Sequence, residues 1–220
     1  MRYLTLLAAT AALLSAQPQR TNPVVIENEH VRVLKVSDPP HRKGRLHEHA
    51  MNRVMVYLND GHLVLAYEGG KTDDQKVKAG EVRWSQAGGR HTSENVGAGP
   101  VEIVEIELKS KPGGESKPIT AALDPLKVEP ANYTVLFEND QVRAVRAKLA
   151  PHGKIKLHEH TVHRVQVFLT DVSIKVTAAD GTATQIARKA GDIAFAPPAK
   201  HEEENLLGTT GEVVLVELKK

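Results

Sequence analysis

Two short stretches of the sequence read His-Glu-His: His47, Glu48, His49, and again His158, Glu159, His160. Neutral imidazole is the commonest protein ligand for transition metals at physiological pH. In a β-strand, residues two apart project from one face, so each pair aims both rings the same way while the intervening glutamate turns aside. The Cα atoms of such a pair lie roughly 7 Å apart. Both rings can then reach one ion held about 2 Å from each nitrogen. A third donor must come from elsewhere in the chain. His91 and His201 are the candidates, each downstream of a glycine (Gly80, Gly191) that starts another short β run. Other chemistry is poorly represented. There is no cysteine, which removes thiolate sites, disulfides and Cys nucleophiles. No phosphate loop, Gly-x-Ser-x-Gly elbow or zinc-protease helix is present. A net charge of +2 with interleaved signs gives no basic stripe to follow a nucleic acid backbone.

The two histidine pairs belong to an internal repeat. Glu27-Asn28 recurs as Glu138-Asn139, Val31-Arg32 as Val142-Arg143, His41 as His152, Arg53-Val54 as Arg164-Val165 and Gly80 as Gly191, all at an offset of 111. One residue is then lost, and His91, Glu94-Asn95 and Glu107-Leu108-Lys109 recur as His201, Glu204-Asn205 and Glu217-Leu218-Lys219 at 110. A constant register with one deletion is the mark of tandem duplication.

Each copy alternates with period two. Val54, Val56 and Leu58 share one face and Arg53, Met55 and Tyr57 the other; Arg164 and Val165 begin the matching run. Glycine-bearing turns such as Asn59-Asp60-Gly61, Glu68-Gly69-Gly70 and Asp180-Gly181 separate these runs. Many short strands with such turns predict a sandwich or closed barrel. The expected division is a secretory signal over 1–16, a β-barrel over 23–109, a Pro/Gly-rich linker over 110–126 and a second barrel over 127–219. Residues 1–16 carry Arg2, an apolar run from Leu4 to Leu14 and small residues at Ser15-Ala16. That is the layout of a cleaved signal, with an apolar run too short to span a bilayer. The mature protein is therefore expected to be secreted or periplasmic, with no membrane segment.

With these residues in place, the chain resembles the cupin superfamily, whose two motifs are present in both copies. The first is His-x-His followed four residues later by an acid. The second is met by Gly80, Gly88, His91 and Asn95, and by Gly191, Pro197, His201 and Asn205, with Gln86 where proline is usual in the first copy. The resemblance implies an all-β protein of two tandem jelly-roll barrels. It also implies metal ligands His47, His49 and His91 in one barrel and His158, His160 and His201 in the other. Where the family places a glutamate ligand, this chain has Arg53 and Arg164. Three imidazoles without a carboxylate disfavour magnesium and calcium and leave Fe(II), Zn, Mn, Ni or Cu. Strand parity puts each arginine on the histidine face, where it would bind an anionic ligand. Glu203 shares the face of His201, which suits it either to pair with Arg164 or to serve as a replacement ligand, whereas Ser93 stands there in the first copy. His163 reads as a turn or surface residue, His30, His41, His62 and His152 as solvated residues, and Trp84 and Phe195 as equivalent core residues.

Three functions fit these features: a metal-dependent, dioxygenase-like oxidoreductase acting on a small anionic organic substrate; a non-catalytic small-molecule or metal-binding protein; and a structural or storage protein. Self-association is compatible with all three, and nucleic acid is not an expected partner.

Overall fold

The computed structural model describes residues 19–220, so the expected signal segment lies outside the described residues. The chain folds as two jelly-roll barrels, each built from two facing sheets. In the first barrel one sheet has the order β1-β2-β10-β5-β8, from Val24–Glu27, Val31–Asp38, Val101–Leu108, Arg53–Tyr57 and Val82–Ser85. The other has β3 (Arg42–Lys43), β9 (Gly88–Asn95), β6 (Gly61–Tyr67) and β7 (Thr72–Val77), with β4 (His47–His49) pairing on β9. A four-residue helix, α1 (Pro125–Val128), precedes the second barrel. There β11 (Tyr133–Glu138), β12 (Val142–Leu149), β19 (Gly211–Leu218), β14 (Arg164–Phe168) and β17 (Ile193–Ala196) form one sheet. The facing sheet is β13 (Lys154–His160), β18 (Ala199–Asn205), β15 (Val172–Ala178) and β16 (Ala183–Arg188). No helix among the described residues is long and apolar enough to cross a membrane.

The period-two alternation sorts side chains into three cores. Leu34, Val36, Met55, Tyr57, Leu63 and Ile103 fill the first lumen. Tyr133, Val145, Ile155, Phe168, Ile174 and Leu215 fill the second. The opposite faces of the same strands, Val31, Val33, Val54, Val56, Val104 and Ile106 from one half and Val142, Val165, Val167, Val214 and Val216 from the other, form a seam between the barrels. Each of these side chains is essentially buried, and burying one contributes about 1.5–3 kcal/mol. The barrels thus pack back to back through β2-β10-β5 and β12-β19-β14.

Contacts across the seam come in repeat-related pairs. Lys35 donates to the Gly191 carbonyl at 3.2 Å, and its counterpart Arg146 donates to the carbonyl of Gly80. Asn52 donates to Gln141 at 2.6 Å, and at the corresponding positions His163 and His30 pack with ring centroids 4.5 Å apart. His30 and His163 also lie against Phe195, while Trp84 meets Phe137. The expectation that His30 is solvated is corrected here. The seam brings it onto His163, and spacing within one copy carries no information about contacts between copies.

Candidate metal centres

In the first barrel β4 lies beside β9, with His47 opposite His91 in the ladder. In the second, β13 lies beside β18, with His158 opposite His201. The imidazoles of each trio converge, their nitrogens lying within 4.8 Å of one another. Ring centroids in the first barrel are 4.9, 4.7 and 5.5 Å apart. The second gives 5.1, 4.6 and 5.6 Å. The two triangles match side for side.

Hydrogen bonds fix which nitrogen faces inward. His47 donates through Nδ1 to the Arg45 carbonyl at 2.8 Å, and His158 does the same to Lys156 at 2.9 Å. His91 donates through Nδ1 to Gly89 at 2.6 Å, and His160 through Nδ1 to the Glu217 carboxylate at 3.2 Å. A carbonyl or carboxylate can only accept, so Nδ1 carries the proton and Nε2 keeps its lone pair. Burial lowers His49 to about 3, with Arg53, His47 and His91 adding to the effect. Burial also lowers His160 to about 4, against the opposing hydrogen bond to Glu217. His91 and His158 are lowered as well, again chiefly by burial. Neutral rings with oriented Nε2 atoms are what a divalent transition metal requires. The donor sets fit such an ion on His47, His49 and His91, and on His158, His160 and His201.

Both arginines lie on the histidine face of their strands, each about 5% exposed or less. Arg53 donates to Ser85 through Nε at 3.3 Å and pairs with Glu105 at 3.3 Å. Arg164 donates to the Pro197 carbonyl at 2.8 Å, and its buried Nε has no partner. Glu203 accepts from His201 Nε2 at 3.4 Å rather than pairing with Arg164, a bond that ligation of an ion by that nitrogen would replace. Burial alone would raise the Glu203 carboxyl; the hydrogen bond from His201 and the nearby His158 and His160 bring it below its ordinary value.

A carboxylate adjoins each histidine trio, although neither three-nitrogen donor set includes one. Arg53 stands directly across the ladder from Glu107, and Arg164 from Glu217. In both barrels a glutamate thus stands one strand over from the arginine. Glu105 and Glu107 each place an oxygen within 4.8 Å of a His49 nitrogen, and Glu217 holds His160. The alternation of β10 carries the signal, because Glu105 and Glu107 interleave with the seam residues Val104 and Ile106. Three further residues were not foreseen. Asp38 is buried and lines the first site, its carboxyl raised by burial against the influence of Arg20. Arg20 reaches Glu105 at 3.6 Å from the segment before β1. Tyr133 donates to His158 Nε2 at 3.4 Å in the second barrel.

The surroundings of the two triangles differ sharply. A cavity of about 580 Å³ opens onto His47, His49 and His91 and is lined by Asp38, Arg53, Tyr67 and Glu105 among others. A second space of about 710 Å³ meets His47 and His49 from the side of β3, Gly44 and Arg45. In the second barrel the cavity that reaches His160 measures only about 30 Å³, walled by Tyr133, Phe168, Ile174, Ile186 and Leu215. The repeat shows why. Asp38, Gly44, Gln75 and Glu105 are replaced by Leu149, Ile155, Ile186 and Leu215.

No protein-family model matches the sequence, and no curated protein does. Solved structures match it strongly in shape. AerE from Microcystis aeruginosa superposes with a TM-score of 0.64 at 13% identity, covering 91% of this chain and 98% of its own. A variant of oxalate decarboxylase from Bacillus subtilis gives 0.62 at 15% identity over 89% and 71%. A Cupin 2 conserved barrel domain protein from Leptotrichia buccalis gives 0.57 at 12% over 94% and 92%. At these identities the likeness shows the fold, and the fold is that of a cupin, present twice in one chain.

Proposed function

We propose that this tandem cupin uses its first barrel as a working metal site and its second as a sealed one. The first barrel holds a divalent transition metal on His47, His49 and His91 and admits a small anionic organic ligand. The contrast between a cavity of about 580 Å³ at His47, His49 and His91 and one of about 30 Å³ at His160 carries this reading. A ligand of several heavy atoms fits the first, while the second holds little more than one water.

The ion, when bound, supplies Lewis acidity or one-electron redox chemistry according to its identity. The chain's own residues do the rest. Arg53 and Arg20 present guanidinium groups to an anion, with Glu105 holding both in place. Asp38, a buried carboxyl at the cavity wall whose pKa is raised by burial, is the group placed to hold or move a proton. Leu63 and Ile103 limit water on the remaining wall. This supports a metal-dependent oxidoreductase of the dioxygenase kind over a storage protein, since a storage role needs neither the cavity nor the buried carboxyl. An exported location accords with the signal-like residues 1–16.

The test pairs elemental analysis with calorimetry using oxalate and malonate as probe anions. The double variant His47→Ala/His49→Ala should lose one metal equivalent and all anion binding. The double variant His158→Ala/His160→Ala should keep anion binding. Anion binding that survives the first pair and vanishes with the second would overturn the assignment. If Asp38→Asn binds both anions as wild type but abolishes oxygen consumption over a panel of small acids, the enzymatic reading stands. If no acid is turned over by the metal-loaded wild type, the chain is a binding protein.

A further inference from the structure

The segment between the barrels is built into the second metal centre. Asp124, 2% exposed, caps α1 by accepting the Leu126 amide at Oδ1, 3.0 Å away. The same carboxylate takes two bonds from Arg143, at 2.7 and 3.3 Å. Arg143 also donates through Nε to Glu217 at 2.5 Å, and the other oxygen of Glu217 accepts the Nδ1–H of His160 at 3.2 Å. Every member of this chain of four is 4% exposed or less. The first barrel keeps only the middle of it. Arg32 pairs with Glu107 at 2.7 Å, but the Arg32 side chain is 40% exposed.

Charge explains why the outer link matters. Glu217 is a buried carboxylate that needs a cation, and Arg143 is a buried cation with more donors than Glu217 can accept. Asp124 takes the surplus, and the trio carries one net negative charge against the back of His160. That charge favours the Nδ1–H tautomer and strengthens Nε2 as a donor. Further contacts seat the segment. Glu159 donates its amide to the Leu123 carbonyl at 2.8 Å, and Lys156 donates its amide to Glu129 at 3.2 Å.

We propose that Asp124 is a positioning residue for the second-barrel metal centre, acting through Arg143 and Glu217 on His160. Docking of the inter-barrel segment then completes that centre, and metal affinity there depends on a residue outside the barrel wall. The inference rests on the metal reading of the second trio, and its test separates the two.

The measurement uses the full chain carrying His47→Ala/His49→Ala, so that only the second centre is reported, with Zn(II) and Co(II) as probes. Asp124→Asn keeps a helix-capping side chain of the same shape and removes the charge together with one of the two acceptors facing Arg143. It should bind both ions ten- to a hundredfold more weakly, while the metal-free protein still unfolds cooperatively, at a temperature lowered by the loss of the buried ion pair. Nitrogen-15 shifts of His160 in the metal-free protein should move from pure Nδ1–H toward a tautomer mixture. Asp124→Glu should restore part of both signals. Unchanged affinity and an unchanged tautomer in Asp124→Asn would overturn the proposal. If the parent binds neither ion, the metal reading of this trio fails, and the His160 tautomer alone decides whether Asp124 positions the ring.

Discussion

At Arg53 the conflict between a guanidinium and a metal site is resolved by a neighbour. Glu105 accepts from it at 3.3 Å inside the lumen, and Arg20 approaches the same carboxylate at 3.6 Å. Removing Arg53 leaves Glu105 buried with Arg20 as its one remaining cation and without its hydrogen bond from Arg53, so Arg53→Met should lower stability by about 1–3 kcal/mol. It should also weaken oxalate or malonate binding about ten- to a hundredfold. Adding Glu105→Leu, the residue that the second barrel carries at Leu215, should recover the stability but not the anion affinity. Urea unfolding and calorimetry on the two variants check both halves. A second expectation concerns pH. Burial lowers His160 to about 4, so between pH 6.5 and 4 the unfolded chain binds a proton that the folded ring refuses. The metal-free protein should therefore hold this contribution in full above pH 6.5 and lose it as the pH falls toward 4. It amounts to about 3 kcal/mol. Urea midpoints recorded across that range, with His160→Phe as the control, should show a flatter profile in the variant.

The strands show how the same parity rule succeeds at one place and stops at another. Alternation along β5 is enough to set Arg53 against Val54, since a one-residue slip would exchange lumen for seam. The carboxylate partner is not legible in that way. It stands across the ladder on β10, and the register between two strands far apart in sequence is absent from the alternation of either. The inter-barrel segment is similar, for its proline and glycine content reads as connection while the buried role of Asp124 depends on a tertiary fork. Size compensation between strands is also hidden. A methyl at Gly61 of β6 would meet the Val101 side chain at 2.5 Å, and one at Gly211 of β19 would meet Val172 at 3.1 Å. Gly61 corresponds to Val172 and Val101 to Gly211, so each barrel places one glycine and one valine at the same crossing, in opposite order. Gly61→Val alone should cost about 1–3 kcal/mol through overpacking. The exchange Gly61→Val/Val101→Gly should return most of it. Thermal unfolding of four proteins, with Val101→Gly added, would measure the coupling, and an additive result would contradict the compensation.

At the level of the whole molecule, the repeat made two barrels legible, but not the way they meet. The outward faces of β2, β5 and β10 look in sequence like a second hydrophobic side with no evident destination, and the seam supplies it. Ile106, fully buried there, lies on the face of β10 opposite Glu105, Glu107 and the histidines. Ile106→Ala should therefore cost about 2–5 kcal/mol by leaving a cavity, with metal content unchanged at saturating ion. Denaturant titration and elemental analysis together test that separation.

The seam has one more consequence. Lys35 reaches Gly191 as Arg146 reaches Gly80, and Asn52 faces Gln141 as His163 faces His30. A surface that meets its own counterpart through exchanged contacts of this kind is isologous, the arrangement by which identical subunits form a closed pair. This polypeptide is in that sense a homodimer whose protomers share one chain. Two separate copies of one gene product must change together, because every substitution appears in both. Once the copies are joined, Glu105 can stand in one while Leu215 stands in the other, and a protomer can give up its cavity without depriving its mate.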